Sequence, residues 1–322
     1  MIFRATVFVA LLACVGCSSR DTGGAGNGSA VAAGSGSGSA TPVDPKNAAS
    51  TYEKRCDAND FDACRSLAIL YGEGLGVAED KKKSAALLQK ACVGKNYSAC
   101  TQFALLLADG TGIDKDVQLA IDVLQQACDG GYLLACRNLG LMVRDGRGAP
   151  VDLPRAAGLL DRACAGGAPY ACTNAGDLDA TRAKADPTQT DELLKNMIAH
   201  FKRGCDDGDP IACRNLGVAY LEGHGLPTST AASTVWLDRA CRLDDPVGCR
   251  VLGAMRVQGI GGPQDVELGK QLLQRACDHK DADACGALKT VAEAQAASAG
   301  SGSSVGSGSA AGSASHSPSL PF

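Results

Sequence analysis

Fourteen of the sixteen cysteines in this 322-residue chain form seven pairs whose members lie eight positions apart. The pairs are Cys56 and Cys64, Cys92 and Cys100, Cys128 and Cys136, Cys164 and Cys172, Cys205 and Cys213, Cys241 and Cys249, and Cys277 and Cys285. Cysteine pairs can form disulfides, hold zinc or exchange electrons. Structural zinc sites favour about two to four residues between ligands and redox sites favour Cys-x-x-Cys, and none of the fourteen has either spacing. The spacing therefore predicts seven structural disulfides.

No other residues have the spacing of a hydrolase site. The sequence contains no Ser-x-x-Lys tetrad, which would place a base beside a nucleophilic serine. The histidines are scattered along the chain instead of forming the cluster that a catalytic zinc requires. They are His200, His224, His279 and His316. We expect them to be surface or loop residues, with His224 exposed in a turn, and we expect no catalytic residue, metal or cofactor.

The cysteine pairs recur at a fixed period, which indicates a repeat protein. First cysteines are 36 residues apart, except for one interval of 41 between Cys164 and Cys205. Self-similarity at this period is typical of a solenoid. Each unit opens with small and apolar residues at helical spacing, continues through a Gly-x-Gly turn, and ends with a second helix at the next first cysteine. Each unit is therefore predicted to be a helical hairpin, and the chain to contain fourteen helices.

The disulfides are predicted to lie at the turns between consecutive hairpins. Cys128, for example, ends one helix and Cys136 begins the next. The antiparallel helix ends should bring the two Cα atoms to about 5–6 Å, as a disulfide requires. Closing each short loop should stabilise the fold by roughly 2–3 kcal/mol on the chain-entropy model.

One unit, residues 171–211, departs from the pattern. It is longer than the others, lacks the Gly-x-Gly turn, and carries Pro187 in a polar stretch. We interpret this as a lengthened loop between its two helices. Two explanations remain open: drift in a tolerated surface loop, or a break in curvature that shapes a ligand groove.

The segments outside the repeats indicate export. Residues 1–17 have one arginine followed by a short apolar run, which is typical of a secretory signal and too short to span a bilayer. The end of this segment resembles a bacterial lipobox, with Cys17 as the predicted lipidated residue and Cys14 as the alternative; an ordinary secretory signal is a third reading. Residues 18–46 and 296–322 are rich in Gly, Ser and Ala, and they are predicted to be a disordered tether and a disordered tail.

The repeating pattern Ala-Cys…Leu-Gly…Gly-x-Gly…Ala…Leu…Ala-Cys resembles the Sel1-like repeat, a relative of the tetratricopeptide repeat, over residues 56–295. The resemblance is to the cysteine-rich, secreted bacterial type. It implies an all-α, right-handed α/α solenoid stapled by disulfides over residues 47–295, with six repeats from 63–283 and capping half-repeats. It also implies a concave face lined by the first helix of each hairpin. Family members mostly act as scaffolds or adaptors, and some cysteine-rich members are described as penicillin-binding or weak β-lactamases.

The composition narrows the class of ligand. The chain has 31 Lys and Arg against 35 Asp and Glu, so it lacks the basic excess of a nucleic-acid-binding protein. Its few aromatic residues mean that the core must be built from Leu, Ala, Val and Cys, which suits closely packed helices. The single tryptophan, Trp236, is expected to pack in that core, with stacking on a ligand as the alternative. We expect a monomer whose partner is a peptide or a protein.

A row of polar residues is the candidate binding site. The residue two places after the second cysteine is polar in most units: Ser66, Gln102, Asn138, Asn174 and Asn215. A carboxamide both donates and accepts, so it can pair with a peptide backbone. The hypothesis is that the three asparagines, with Gln102, clamp an extended peptide, and that Arg137 and Arg214 supply charge. The alternatives are that these asparagines cap or solvate the first helices, or that the protein is a structural envelope scaffold without a small ligand.

Overall fold

The computed structural model describes residues 45–301, with side chains described for residues 47–296. The described region contains the fourteen helices expected from the sequence, and it has no strand. The helices are α1 Pro45–Asp57, α2 Phe61–Glu73, α3 Lys81–Val93, α4 Tyr97–Asp109, α5 Val117–Asp129, α6 Leu133–Arg144, α7 Leu153–Ala165, α8 Ala171–Ala185, α9 Thr190–Asp206, α10 Pro210–Glu222, α11 Thr230–Arg242, α12 Pro246–Gln258, α13 Val266–Asp278 and α14 Ala282–Ser301.

Side-chain caps explain where most of these helices begin. Asp60 and Asn96, each four positions before a second cysteine, accept hydrogen bonds from backbone N–H groups in the first turns of α2 and α4. Asp80 and Asp116 do the same for α3 and α5. Such caps satisfy helix N–H groups that have no partner within the helix. The repeat therefore encodes the start of both helices in most hairpins; α6, α8 and α9 have no side-chain cap hydrogen bond.

The Gly-x-Gly turns end the first helices, as the sequence predicts. Gly110 closes α4 in the left-handed region, with φ 77°, where glycine is favoured. Gly112 also has a positive φ, and a Cβ there would collide with the backbone carbonyl of Lys81 in the preceding hairpin. The second glycine therefore lets each turn rest on the hairpin before it.

The helices stack as a solenoid of hairpins. The hairpins are α2–α3, α4–α5, α6–α7, α8–α9, α10–α11 and α12–α13, with α1 and α14 at the ends. First helices of neighbouring hairpins contact one another, as in α4 with α6, α6 with α8 and α8 with α10. We call the surface formed by α2, α4, α6, α8, α10 and α12 the first-helix face. The core is made of Leu, Ala and Cys side chains, as expected; Trp236 is half-buried and packs against it.

All seven predicted disulfides are present. They join Cys56 to Cys64, Cys92 to Cys100, Cys128 to Cys136, Cys164 to Cys172, Cys205 to Cys213, Cys241 to Cys249, and Cys277 to Cys285. Each bond connects the end of one helix to the first turn of the next. Seven disulfides require an oxidising environment, which indicates that this chain is exported.

The geometry of the disulfides corrects one expectation. The Cα–Cα distances range from 4.5 to 4.8 Å, shorter than the expected 5–6 Å and within the range that disulfides adopt. The helix ends therefore approach more closely than the sequence suggested. The second cysteine of each pair lies in the core, except Cys285 in α14, which is partly exposed because no further hairpin covers it. The buried second cysteines are Cys64, Cys100, Cys136, Cys172, Cys213 and Cys249.

The prediction of a lengthened loop in the unit from 171 to 211 is wrong. The loop between α8 and α9 has only residues 186–189, whereas the helices have 15 and 17 residues instead of the usual 13. Asp186 closes this tight turn by accepting hydrogen bonds from Thr188 and Gln189. Pro187 fits because it lies between the helices, where no helical N–H is needed. The extra residues therefore extend the hairpin instead of looping out.

Two predicted boundaries also shift. Helix α1 begins at Pro45, inside the predicted tether, and α14 continues to Ser301, inside the predicted tail. The Ala-rich sequence at the start of that tail has high helix propensity, which explains the continuation. The signal segment, Cys14, Cys17, His316 and the rest of the tether and tail lie outside the described residues. No helix within 45–301 combines the length and the apolarity needed to cross a bilayer.

Candidate functional site

The first helices present one row of polar side chains. Two positions on each first helix share a face because they are about one helical turn apart. The first lies two places after the second cysteine, and the second lies three places beyond the first. Ser66, Gln102, Asn138, Asn174 and Asn215 occupy the first of these positions, and all five are partly exposed. We call these five residues the polar row. Val251, at the same position in α12, is buried, so the row ends at α10.

Two of the three predicted clamp asparagines are tied to neighbouring hairpins. The Oδ1 atom of Asn174 accepts a hydrogen bond of 2.8 Å from Nε of Arg137. Asn215 donates from Nδ2 to Oδ1 of Asp177 at 3.2 Å, and its Oδ1 accepts from Nε of Arg214 at 3.4 Å. These bonds fix the orientation of both carboxamides and leave Nδ2 of Asn174 without a partner among the described residues.

The other two carboxamides of the row are available to a ligand. Neither Gln102 nor Asn138 forms a side-chain hydrogen bond to a described residue, although both are partly buried. Each can both donate and accept, so each can pair with a backbone amide of an extended peptide. The row therefore combines oriented amides on α8 and α10 with unengaged amides on α4 and α6.

The asparagines of the polar row do not cap the first helices, so only the solvation part of that alternative stays open. The caps lie four positions before the second cysteine, as with Asp209 before α10 and Asp245 before α12. Asn215 lies in the second turn of α10, where backbone N–H groups already donate within the helix. The row residues are therefore not needed to begin the helices.

Asp177 is a site residue that the sequence analysis missed. It lies three positions after Asn174 on α8, and the equivalent positions in α2, α4, α6 and α10 are apolar. Burial raises the pKa of the Asp177 carboxyl, while the nearby positive charges of Arg144 and Arg214 act against this rise. The one acidic residue in an otherwise apolar column was the signal that could have identified it.

The two predicted arginines have different surroundings. Nη1 of Arg214 lies 3.2 Å from Oδ1 of Asp245, the capping residue of the next hairpin, so this guanidinium is paired. Arg137 forms no ion pair with a described residue. Its guanidinium lies 5.8 Å from the centre of the Tyr170 ring, and burial lowers its pKa. Only Arg137 therefore keeps the role of supplying unpaired charge.

A cleft lies beside the row, among α8, α9 and α10. It has a volume of about 240 Å³ and is lined by Asp177, Ala180, Met197, Phe201, Asn215, Val218, Ala219 and His224. Asp177, Asn215 and His224 supply its polar part, and the other lining residues are apolar. Pockets for drug-sized ligands are usually about 300–1,000 Å³, so this cleft suits one side chain of a larger partner.

The histidines are not all surface residues, which corrects the sequence analysis. His200 on α9 is partly buried between two carboxylates: Nδ1 lies 2.9 Å from Oδ2 of Asp179, and Nε2 lies 3.3 Å from Oδ1 of Asp161. His224 is exposed in its turn, as expected. Burial raises the pKa of Asp161, and the charge of His200 acts against this rise. Within the described part of the chain, no three His, Cys, Asp or Glu residues are placed to hold a metal ion.

Comparisons with known proteins agree with this architecture. The Sel1 repeat family profile matches residues 61–92, 98–132, 133–167, 210–245 and 246–281, more than half of the chain. A protective antigen of uropathogenic Escherichia coli strains with an SLR fold has a TM-score of 0.64 at 20% identity, covering 76% of this chain and 51% of its own. A Sel1 repeat protein from Oxalobacter formigenes has a TM-score of 0.58 at 19% identity, covering 71% of this chain and 96% of its own. No curated protein sequence matches this chain.

The chain belongs to the Sel1 repeat family, and its fold is the disulfide-stapled helical solenoid that the sequence predicts. It spans about half the length of the E. coli antigen chain. Membership of this family is consistent with a role as a scaffold that mediates protein–protein interactions. The profile leaves residues 168–209 unmatched, and this stretch is the α8–α9 hairpin that carries Asp177 and His200.

Proposed function

We propose that this protein is an exported adaptor whose first-helix face binds an extended peptide segment of a protein partner. The polar row carries the proposal, because it places carboxamides on consecutive first helices. Two of them, Gln102 and Asn138, have no side-chain partner among the described residues. Parallel helices pack about 8–10 Å apart, so an extended chain crossing them meets a carboxamide every three residues or so. The cleft beside Asp177 and Asn215 would take one of its side chains.

The proposal includes an anchor at the cell envelope. Cys17, or alternatively Cys14, would carry the lipid, and residues 18–46 would let the solenoid reach a partner away from the membrane. Metabolic labelling with a lipid precursor tests this part, because Cys17→Ser should abolish the label. Retention of the label in that variant would assign the lipid to Cys14, and absence of label in the wild type would leave a secreted protein.

A photo-crosslinking experiment tests the binding face. Leu105 on α4 and Leu119 on α5 are the same residue type with matched exposure, 39% and 41%, but only Leu105 lies on the first-helix face. A photo-reactive amino acid at each position in the full-length oxidised chain should capture a partner from envelope extract at Leu105 and not at Leu119. Equal capture at both positions would contradict the proposal.

A substitution then tests the polar row itself. Asn138→Ala removes an unengaged carboxamide without breaking a side-chain hydrogen bond of the fold, so it should weaken capture at Leu105 about tenfold while the melting temperature stays unchanged. Unchanged capture would move the site off the row. No capture at any position would favour the structural scaffold. The β-lactam alternative rests on the resemblance alone, and hydrolysis of a chromogenic cephalosporin is its test.

A further inference from the structure

An arginine directly follows the second cysteine in four of the first helices. These are Arg65, Arg137, Arg214 and Arg250. In the last two, the arginine pairs with the aspartate that caps a following helix: Arg214 with Asp245 before α12, and Arg250 with Asp281 before α14, each at 3.2 Å. The repeat thus places a guanidinium where the following hairpin supplies a carboxylate.

The hairpin that follows α6 supplies no such carboxylate. The position of the capping aspartate, four places before Cys172, is Ala168. The cap residue is instead Tyr170, in the left-handed region with φ 60° and no side-chain cap hydrogen bond. Arg137 therefore faces the α8–α9 hairpin, which lacks this aspartate, and it forms no ion pair within the described residues.

Arg137 is nevertheless held in place. Its Nε donates to Oδ1 of Asn174 at 2.8 Å, and its guanidinium lies over the ring of Tyr170. Neither Nη atom donates to a described residue. The carboxylate whose charge acts on Arg137 is that of Asp209, and it is already committed to the Thr173 hydroxyl and to the first turn of α10.

Arg65 shows that the missing partner alone does not make a site. Its following hairpin begins with Asn96 instead of an aspartate, so Arg65 also lacks an ion pair. It has no side-chain hydrogen bond to a described residue that would orient its guanidinium. Both arginines are partly buried, but only Arg137 is oriented by a side-chain hydrogen bond. An oriented guanidinium can bind a carboxylate through two parallel N–H groups.

We propose that Arg137 is the binding site for a carboxylate group of the partner, which takes the place that Asp245 and Asp281 occupy before α12 and α14. The two Nη groups bind the carboxylate, and Nδ2 of Asn174 is a neighbouring donor. This inference rests on the proposed function in that the carboxylate belongs to the peptide bound on the first-helix face. The peptide would offer either its C-terminal carboxylate or an Asp or Glu side chain.

Small probes test the site without requiring the natural partner. The full-length oxidised protein, labelled with 15N-arginine, would be titrated at low ionic strength, with the Nε–Hε resonance of Arg137 assigned by its absence in Arg137→Gln. N-acetylglycine represents a C-terminal carboxylate, and N-acetylaspartic acid α-amide represents a side-chain carboxylate. At least one should shift the Arg137 resonance saturably, and the probe that binds more tightly identifies the source. N-acetylglycinamide should cause no saturable shift.

Arg65 is the matched control for these titrations. Its resonance should show no saturable shift, and Arg65→Gln should leave probe affinity unchanged, whereas Arg137→Gln should lower it at least tenfold. Arg137→Lys keeps the charge but not the planar fork, so it should give an intermediate loss. Equal responses of Arg137 to carboxylate and carboxamide probes, or tighter saturation by inorganic phosphate, would overturn the proposal.

The two proposals fail in different ways. If probes bind at Arg137 but the photo-reactive group at Leu105 captures nothing, the carboxylate site stands and its placement on a peptide-binding face is overturned. If capture at Leu105 depends on Asn138 but no carboxylate probe shifts the Arg137 resonance saturably, the adaptor function stands and the carboxylate site is overturned.

Discussion

Asp245 joins two hairpins through one carboxylate. Its Oδ1 lies 3.2 Å from Nη1 of Arg214 on α10, and its Oδ2 accepts a hydrogen bond of 2.7 Å from the backbone N–H of Gly248 in α12. The side chain of Asp245 is only 6% exposed. Asp281 repeats the arrangement with Arg250 and the N–H of Ala284. The cap that begins a helix therefore also couples it to the previous repeat.

Replacing Asp245 should strongly destabilise the fold, because the residue both caps α12 and pairs with Arg214. Asp245→Ala removes a cap and leaves the Arg214 guanidinium without its carboxylate, so it should lower the free energy of unfolding by about 3–4 kcal/mol. Asp80→Ala, which removes an exposed cap of α3, should cost about 1 kcal/mol. Chemical denaturation with the disulfides intact measures both. Equal losses would show that the Arg214 contact adds nothing.

The disulfides should each contribute a similar, moderate stabilisation. Replacing Cys164 and Cys172 together by Ala should lower the free energy of unfolding by about 2–3 kcal/mol, because a short closed loop is released in the unfolded chain. Mass spectrometry of the non-reduced protein should find no free thiol among the fourteen repeat cysteines. Several free thiols would contradict the pairing.

The buried carboxyl of Asp177 should give the protein a pH dependence of a defined sign. Its folded pKa lies above the ordinary value of 3.8 because of burial, so the folded state binds this proton more tightly than the unfolded state. The contribution is most favourable below the unfolded pKa and is lost as the pH rises through the folded pKa. Asp177→Asn stays neutral, so its stability relative to the wild type should increase across that window. A relative stability that falls as the pH rises would contradict this sign.

His200 should stabilise the fold through its contacts with two carboxylates. His200→Ala removes the contact to Asp179, a carboxylate with only 6% of its side chain exposed, and leaves it with Arg182 alone at 3.5 Å. The loss of the partner of Oδ2 in this buried carboxylate should lower the free energy of unfolding by about 2–3 kcal/mol. His279→Ala, at an exposed position, should change it by less than about 0.5 kcal/mol. Thermal unfolding with intact disulfides compares the two.

The sequence itself determined the repeat, the hairpins and the disulfides. These depend on contacts that are short in sequence: each disulfide spans eight positions, and each cap lies within a few residues of the N–H groups that it binds. Helix periodicity, capping residues and turn glycines act locally, so a single unit is sufficient to predict them, and their recurrence along the chain supports the prediction. The lengthened loop was predicted wrongly because sequence length alone does not say whether extra residues extend a helix or a turn.

Only the tertiary structure decided which polar residues are engaged. Asn174 and Arg137 are 37 positions apart, and Asn215 and Asp177 are 38 apart, so each pair meets only because consecutive hairpins stack. The same stacking pairs Arg214 with Asp245 but gives Arg137 no carboxylate partner among residues 47–296, although both arginines follow the second cysteine in a near-identical sequence. Burial and neighbouring charge, which set the pKa of Asp177 and the environment of His200, are properties of that stacking and not of the local sequence.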